Sequence, residues 1–301
     1  MSKYVRKFLL HLKWKLGKFH FFDHWSDEKY LKLSYRLRIG KALDLDHPKS
    51  FNEKIQWLKI HDRKEKYTNL VDKIKAKEIV GKIIGEEHII KTLGVYEKYE
   101  DIDFTKLPNR FIIKCNHNSG GVIIVNDKSK MDHKKLKKHF DKLLTKNYYY
   151  DCREYPYKNI HPMILIEENI QNEDCLDQIS DYKLMCFNGQ VKCSFVCSNR
   201  DKPGGLCVNF YDKDWNPMPF KRHYPKNPVE FEKPKLYEEM VCLAEKLSAD
   251  IPFVRVDFYV IRNQIYFGEL TFYPGSGLEE FTPEEWDLKL GEMLDLSSVE
   301  K

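Results

Sequence analysis

Apolar and polar positions alternate most cleanly from 254 to 277, VRVDFYVIRNQIYFGELTFYPGSG. Val254, Val256, Phe258 and Val260 give one strand an apolar face, and Arg255, Asp257 and Tyr259 give it a polar one. Ile265 to Phe272 reads as the returning strand. A three-residue connection through Arg262, Asn263 and Gln264 puts Asp257 opposite Glu269, whereas a two-residue loop sends the carboxylates to opposite faces. Facing carboxylates call for a cation; acids on a solvated strand face call for none. PGSG directly after the glutamate-bearing strand favours the first reading.

The same patterning predicts the other elements. Residues 26–61 read as helical, broken at Pro48, with Ser50 three residues before Glu53 as a capping box for FNEKIQWLKIH. VDKIKAKEIVGKIIG predicts a lysine-rich helix ending at Gly85, and HIIKTLGVYE a strand. In FIIKCNHNSGGVIIV two apolar runs flank a polar loop with Gly120 and Gly121. This is either an ordinary hairpin or a flap whose bare backbone amides wrap phosphate, with Lys114 pointing into the same space. A helix over 132–146 and a short buried strand at Met163–Ile166 follow. DYKLMCFNGQVKCSFVCSNR predicts a hairpin turning on Asn188-Gly189. A two-residue loop there groups Tyr182, Leu184 and Cys186 with Val191, Cys193, Phe195 and Cys197, leaving Asp181, Lys183 and Lys192 on the other face, with Arg200 next in phase. Residues 201–235, holding six of the thirteen prolines, predict a long irregular connection. Helices are expected over 235–247 and after Pro283.

Composition narrows the function classes. A chain of 301 residues, 42% hydrophobic and 14% aromatic, buries ample core for an enzyme. Mean hydropathy of −0.60 and the lack of a long apolar run argue against a membrane span. The eight cysteines contain no CxxC pair, which points away from zinc and, with no export-type leader, towards reduced thiols in the cytoplasm. Six cations and no acid lie in residues 1–20, leaving 45 basic against 46 acidic residues elsewhere, so no broad nucleic-acid surface is expected. Val5, Phe8, Leu9, Leu12, Leu16 and Phe19 recur there at helical spacing. Such a helix either lies on a membrane surface or docks on the protein's own core.

In this order, FNEKIQW, the DK of VDKIKAK, FIIKCNHNSGG, ILIEENI, DYKLMCFNG and RVDFYVIRNQIYFGELTFYPGSG resemble the TupA-like ATP-grasp family of surface-polysaccharide biosynthesis, the teichuronopeptide type. The resemblance runs from about Phe51 to Leu296. It implies an α+β ATP-grasp fold with the nucleotide between two antiparallel sheets, preceded by an N-terminal helical segment. The implied divisions are a basic amphipathic helix over 1–24, an N-terminal α/β domain over 25–106, a flap subdomain over 107–170 and a C-terminal subdomain with the metal site over 171–301.

The resemblance also implies roles. Lys73 and Lys114 are similar to the phosphate-contacting lysines, and Ser119, Gly120 and Gly121 to the flap over the β- and γ-phosphates. Glu167 and the Asn169 backbone stand at the adenine hinge, and Asp181 at the ribose. Lys183 and Arg200 face the phosphates, and Arg255 resembles the arginine aimed at the acyl phosphate. Asp257 and Glu269 match the Mg²⁺ carboxylates, while Thr271 stands where the wider superfamily commonly has asparagine. ATP and Mg²⁺ are the implied cofactors. The expected reaction joins an amine or amino acid to a carboxyl-bearing sugar or glycan precursor, in the cytoplasm or at the inner face of the membrane with residues 1–22 as peripheral contact. A sugar kinase using the same nucleotide site and a nucleotide-binding scaffold of a glycan assembly complex are the alternatives.

Overall fold

The computed structural model describes residues 3–170, 180–199 and 205–299. Its helices are α1 (Lys3–Gly17), α2 (Asp27–Arg38), α3 (Phe51–His61), α4 (Glu65–Val71), α5 (Lys75–Ile84), α6 (His133–Leu144), α7 (Tyr149–Cys152), α8 (Tyr237–Ser248) and α9 (Glu285–Glu292). Its strands are β1 (Thr92–Tyr96), β2 (Phe111–Cys115), β3 (Ile123–Val125), β4 (Ile164–Glu168), β5 (Ser180–Phe187), β6 (Gln190–Ser198), β7 (Cys207–Asp212), β8 (Lys221–Arg222), β9 (Phe253–Ile261), β10 (Gln264–Thr271) and β11 (Phe281–Thr282).

Two antiparallel sheets organise the chain: a four-stranded one in the order β1-β4-β2-β3, and a five-stranded one in the order β10-β9-β5-β6-β7. This is the α+β arrangement expected. The large sheet buries Leu184, Cys186, Val254, Val256 and Phe258 against α8, where the Tyr237 and Ser194 hydroxyls meet at 2.9 Å. The small sheet has its own core, with Phe111, Ile113 and Ile166 packed on Phe140 of α6. The capping box starts α3 as the spacing predicts, Ser50 Oγ accepting from the Glu53 amide at 3.2 Å and Glu53 Oε2 from the Ser50 amide at 3.0 Å.

The β9–β10 register differs from the three-residue expectation. Gln264 pairs with Ile261, so the loop is the two residues Arg262 and Asn263, both with positive φ as a type I′ turn needs. Glu269 nevertheless lies opposite Asp257, because the register shifts by one residue between Phe267 and Glu269. Gly268 is the extra residue, a β-bulge. A Cβ there meets the Asp257 carbonyl and the Tyr259 ring, each at 3.1 Å, so glycine is what lets the strands close.

A second shift corrects the β5–β6 faces. The Asn188-Gly189 turn is two residues long, with Phe187 paired to Gln190, but pairing slips between Met185 and Cys186. Lys183 therefore faces Phe195, and Met185 faces Cys193. Cys193 and Phe195 share the face of Lys183, while Ser194 and Val196 turn to the face of Leu184. Residues 201–235 also differ from expectation, since within them β7 joins the large sheet and β8 pairs with β11. Pro217 and Pro219 lie beyond β7 and interrupt none of its pairing; Tyr211 at its end stacks on Trp215 with centroids 4.4 Å apart.

α1 docks on α2 through Arg6 and Lys13, with Leu9, Leu10 and Leu16 half-buried as well, so the predicted apolar face divides: Phe8, Leu12 and Phe19 stay exposed. No helix among the described residues is long and apolar enough to cross a membrane.

If the bulge sets the register, Gly268→Val forces the β9 backbone or the Tyr259 ring aside at a cost of about 1–3 kcal/mol. The unfolding midpoint falls by several degrees, while Gly268→Ala, with the same Cβ but less bulk, costs less; equal midpoints for all three proteins in a thermal melt contradict the assignment.

Candidate active site

The polar face of the large sheet gathers one connected set of charges. Lys183 on β5 pairs across to Asp257 on β9, which pairs to Glu269 on β10, and Arg255 pairs to Thr271. Asp257 is 1% exposed, and Arg255 grips it with Nε and a terminal nitrogen, both at 2.6 Å. Lys183 Nζ adds a contact of 2.5 Å to Asp257 and one of 2.8 Å to Asp181. The same terminal nitrogen of Arg255 reaches Glu269 at 3.1 Å and Thr271 Oγ1 at 2.9 Å.

Burial pushes the Asp257 carboxyl up, but Arg255 and Lys183 outweigh it and hold Asp257 below its ordinary value. Burial likewise works against the charged form of Lys183, and Asp257 overcomes it, so that ammonium is raised. Asp181 goes the other way: burial raises it despite Lys183.

The small sheet faces this set with a second group of cations. Glu167 on β4 is 2% exposed and lies between two ammonium groups, Lys77 at 2.5 Å and Lys114. Burial presses its carboxyl up, and the lysines outweigh that to keep it below the ordinary carboxylate value. Lys73 stands immediately before α5, its amide donating to the Asn116 carbonyl at 3.2 Å and its ammonium to the Asn118 carbonyl. Burial lowers both Lys73 and Lys77. Asp72 explains the aspartate of the DK pair: its Oδ1 accepts from the Ile74 amide at 2.9 Å and from the Asn116 side chain at 3.0 Å, fixing Lys73 against the β2–β3 loop.

That loop carries Gly120 and Gly121 at φ of +78° and +70°, conformations that side chains resist. Ser119 and Gly120 are exposed, and Tyr148 donates to the Ser119 carbonyl at 3.3 Å. A cleft between the sheets is lined by Lys73, Lys77, Lys114, Glu167, Tyr259 and Glu269, among others.

Of the predicted residues, Lys73, Lys114, Glu167 and Glu269 line this one cleft, and Asp181, Lys183, Arg255, Asp257 and Thr271 form the charge set that runs into it through Glu269. Asn169 lies just past β4. Arg200 falls outside the described residues. Asp257 and Glu269 are two facing hard-oxygen donors, the number a protein usually gives Mg²⁺, with phosphate and water supplying the rest. Thr271 Oγ1 is 3.3 Å from Glu269 Oε1. The donor set fits the ion, provided Arg255 and Lys183 loosen part of their hold on Asp257. Among the described residues no three His, Cys, Asp or Glu side chains cluster closely enough to hold a metal alone.

Two residues escaped the sequence reading. Lys77 belongs to the lysine-rich helix that the sequence predicts and carries no role there, although it follows Lys73 by four residues. Lys59 is fully buried on α3, donating to the Ser276 carbonyl at 2.8 Å and hydroxyl at 2.6 Å, while Gln56 donates to the Ser276 and Gly277 carbonyls, each at 2.8 Å. Together they clamp PGSG, where Gly275, Ser276 and Gly277 all have positive φ.

The D-alanine–D-alanine ligase of Bacillus anthracis, solved complexed with ATP, is 15% identical over 82% of this chain and 68% of its own, at a TM-score of 0.41. A RimK domain ATP-grasp protein from Sphaerobacter thermophilus is 10% identical over 76% of this chain and 69% of its own, with a TM-score of 0.40. The ATP-grasp ligase PsnB, complexed with its minimal precursor, is 10% identical over 70% and 55% respectively, at 0.38. No curated protein sequence matches the chain. The family model TupA-like ATPgrasp matches residues 53–295, a span that takes in α3, the flap, both carboxylate-bearing strands and PGSG. The chain therefore belongs to the TupA-like ATP-grasp family, and is an ATP-grasp ligase.

Proposed function

We propose that this ligase forms an amide between an amino acid or amine and a carboxyl-bearing sugar of a bacterial surface polysaccharide or its precursor, through an acyl phosphate. The observation that carries the reading is the convergence of Lys73 and Lys77 at α5, Lys114 on the small sheet, and Lys183 and Arg255 on the large sheet around two facing carboxylates. So many cations beside a pair of hard-oxygen acids suit a polyphosphate better than any neutral ligand. Asp257 and Glu269 would hold Mg²⁺, which would supply charge neutralisation to the phosphates.

The chain's own residues supply the rest. Lys73 and Lys114 meet phosphate oxygens, and Glu167, expected at the adenine hinge, is paired with Lys77 and Lys114 and so orients them towards the phosphates instead. Ser119, Gly120 and Gly121 cover the β- and γ-phosphates with backbone amides. Asn169 lies at the adenine and Asp181 at the ribose. Arg255 steadies the acyl phosphate while the amine attacks it, and no side-chain nucleophile is required. In this reading residues 107–170 act as the flap subdomain and 171–301 carry the metal site. The enzyme works in the cytoplasm at the inner face of the membrane.

Glu269→Gln keeps the shape and removes the charge. It lowers kcat by about 100-fold or more without moving the unfolding midpoint, because Glu269 is partly exposed; near-normal turnover overturns the metal assignment. Lys77→Met leaves Glu167 with one counter-charge, and KM for ATP rises about tenfold while kcat changes less; an unchanged KM removes Lys77 from the site. Product analysis separates reaction classes: ADP and phosphate accumulate only when acid and amine are both present, whereas stable transfer of γ-phosphate label to a sugar identifies a kinase.

A further inference from the structure

We propose that α1 seats the enzyme on an anionic lipid bilayer through a face that it does not use for docking on the protein. The inference deepens the localisation in the reading above and is independent of the ligase chemistry. α1 is held from its other side. Lys13 Nζ donates to the Tyr30 hydroxyl at 2.8 Å and lies 4.0 Å from that ring's centre, Arg6 pairs with Glu280 at 3.6 Å, and Leu16 packs on the Phe22–Tyr30–Leu31 core. Burial lowers the Lys13 ammonium to about 8, a mark of how far it is drawn inwards.

With that side anchored, Tyr4, Phe8 and Leu12 form a stripe at every fourth position that points away from the protein, and Phe19 follows just past the helix. Tyr4 is 88% exposed, Phe8 67% and Phe19 81%, which is unusual for large apolar side chains on one short segment. An ordinary core helix buries such residues, so the pattern is not that of a helix whose apolar face is merely part of the fold.

Charge selects the occupant. Lys7, Lys15 and Lys18 are exposed on the same helix and its end, and Lys18 lies 3.5 Å over the ring of Trp14, itself 57% exposed. An apolar, aromatic-bearing stripe flanked by lysines, with no acid in residues 1–20, complements acyl chains below a layer of anionic headgroups. The Arg6–Glu280 pair ties α1 to the segment that follows PGSG, so bilayer contact holds that end of the enzyme near the surface.

The test is co-sedimentation of the full chain with phosphatidylglycerol–phosphatidylcholine vesicles and with phosphatidylcholine alone. The wild type binds the anionic vesicles, and added salt weakens the binding. Tyr4→Ser, Phe8→Ser and Phe19→Ser together reduce it about tenfold or more, as do Lys7→Glu, Lys15→Glu and Lys18→Glu together. Both variants keep the wild-type unfolding midpoint and turnover on soluble substrate, because these side chains lie in solvent. The proposal is overturned if the wild type ignores anionic vesicles or if the serine variant binds them equally. It also fails if light scattering shows that the stripe joins two copies of the chain, with the serine variant monomeric and neither protein on vesicles. Wild-type binding to anionic vesicles with no ADP release from any pairing of acid and amine counts against the ligase reading and leaves this one standing.

Discussion

A carboxylate that is 1% exposed exists only if its charge is met, and the polar face of the large sheet is built to meet the charge of Asp257. Arg255 supplies two hydrogen bonds and Lys183 a third from the neighbouring strand. That requires β5 and β9 to bring residues from two strands to one spot on one face. Removing any partner leaves a buried charge uncompensated, at about 3–5 kcal/mol. Under the proposed function a metal and a polyphosphate would compete for Asp257, Arg255 and Lys183, so the charge set that stabilises the fold would also be the one that rearranges.

The small sheet repeats the device more loosely. Glu167 is buried between Lys77 and Lys114, and Asp72 fixes the loop that sets Lys73 beside them. Each lysine is held by an oxygen, Lys77 and Lys114 by Glu167 and Lys73 by the Asn118 carbonyl, and under the proposed function an incoming phosphate would replace it. Lys59 and Gln56 do the corresponding work for PGSG, holding three successive left-handed residues at the end of β10.

Much of this was legible in the residues. Alternation between 254 and 260 identified the β9 faces, Asn188-Gly189 identified a type I′ turn, and Ser50 with Glu53 identified the start of α3. The facing of Asp257 and Glu269 was also legible, but for a different reason from the loop length first invoked. Ile265 and Phe267 are apolar at odd positions, and Leu270 and Phe272 at even ones; that change of phase at Gly268 is the bulge, written in the pattern. The shift in β6 left no such mark, because cysteine, serine and valine suit either face and only pairing with Arg255 and Tyr237 decides which turns where. Lys77 and Lys59 were missed because a lysine's period reveals only its side of the helix, and their roles depend on strands and loops far away in sequence.

Under the proposed function, Asp257 and Glu269 would hold Mg²⁺ beside the nucleotide once Arg255 and Lys183 loosen their grip. Titration calorimetry with a non-hydrolysable ATP analogue, with Mg²⁺ and with EDTA, addresses this directly. Binding should depend strongly on Mg²⁺ in the wild type and lose most of that dependence in Glu269→Ala. Equal affinity with and without Mg²⁺, or an unchanged Mg²⁺ dependence in Glu269→Ala, contradicts it.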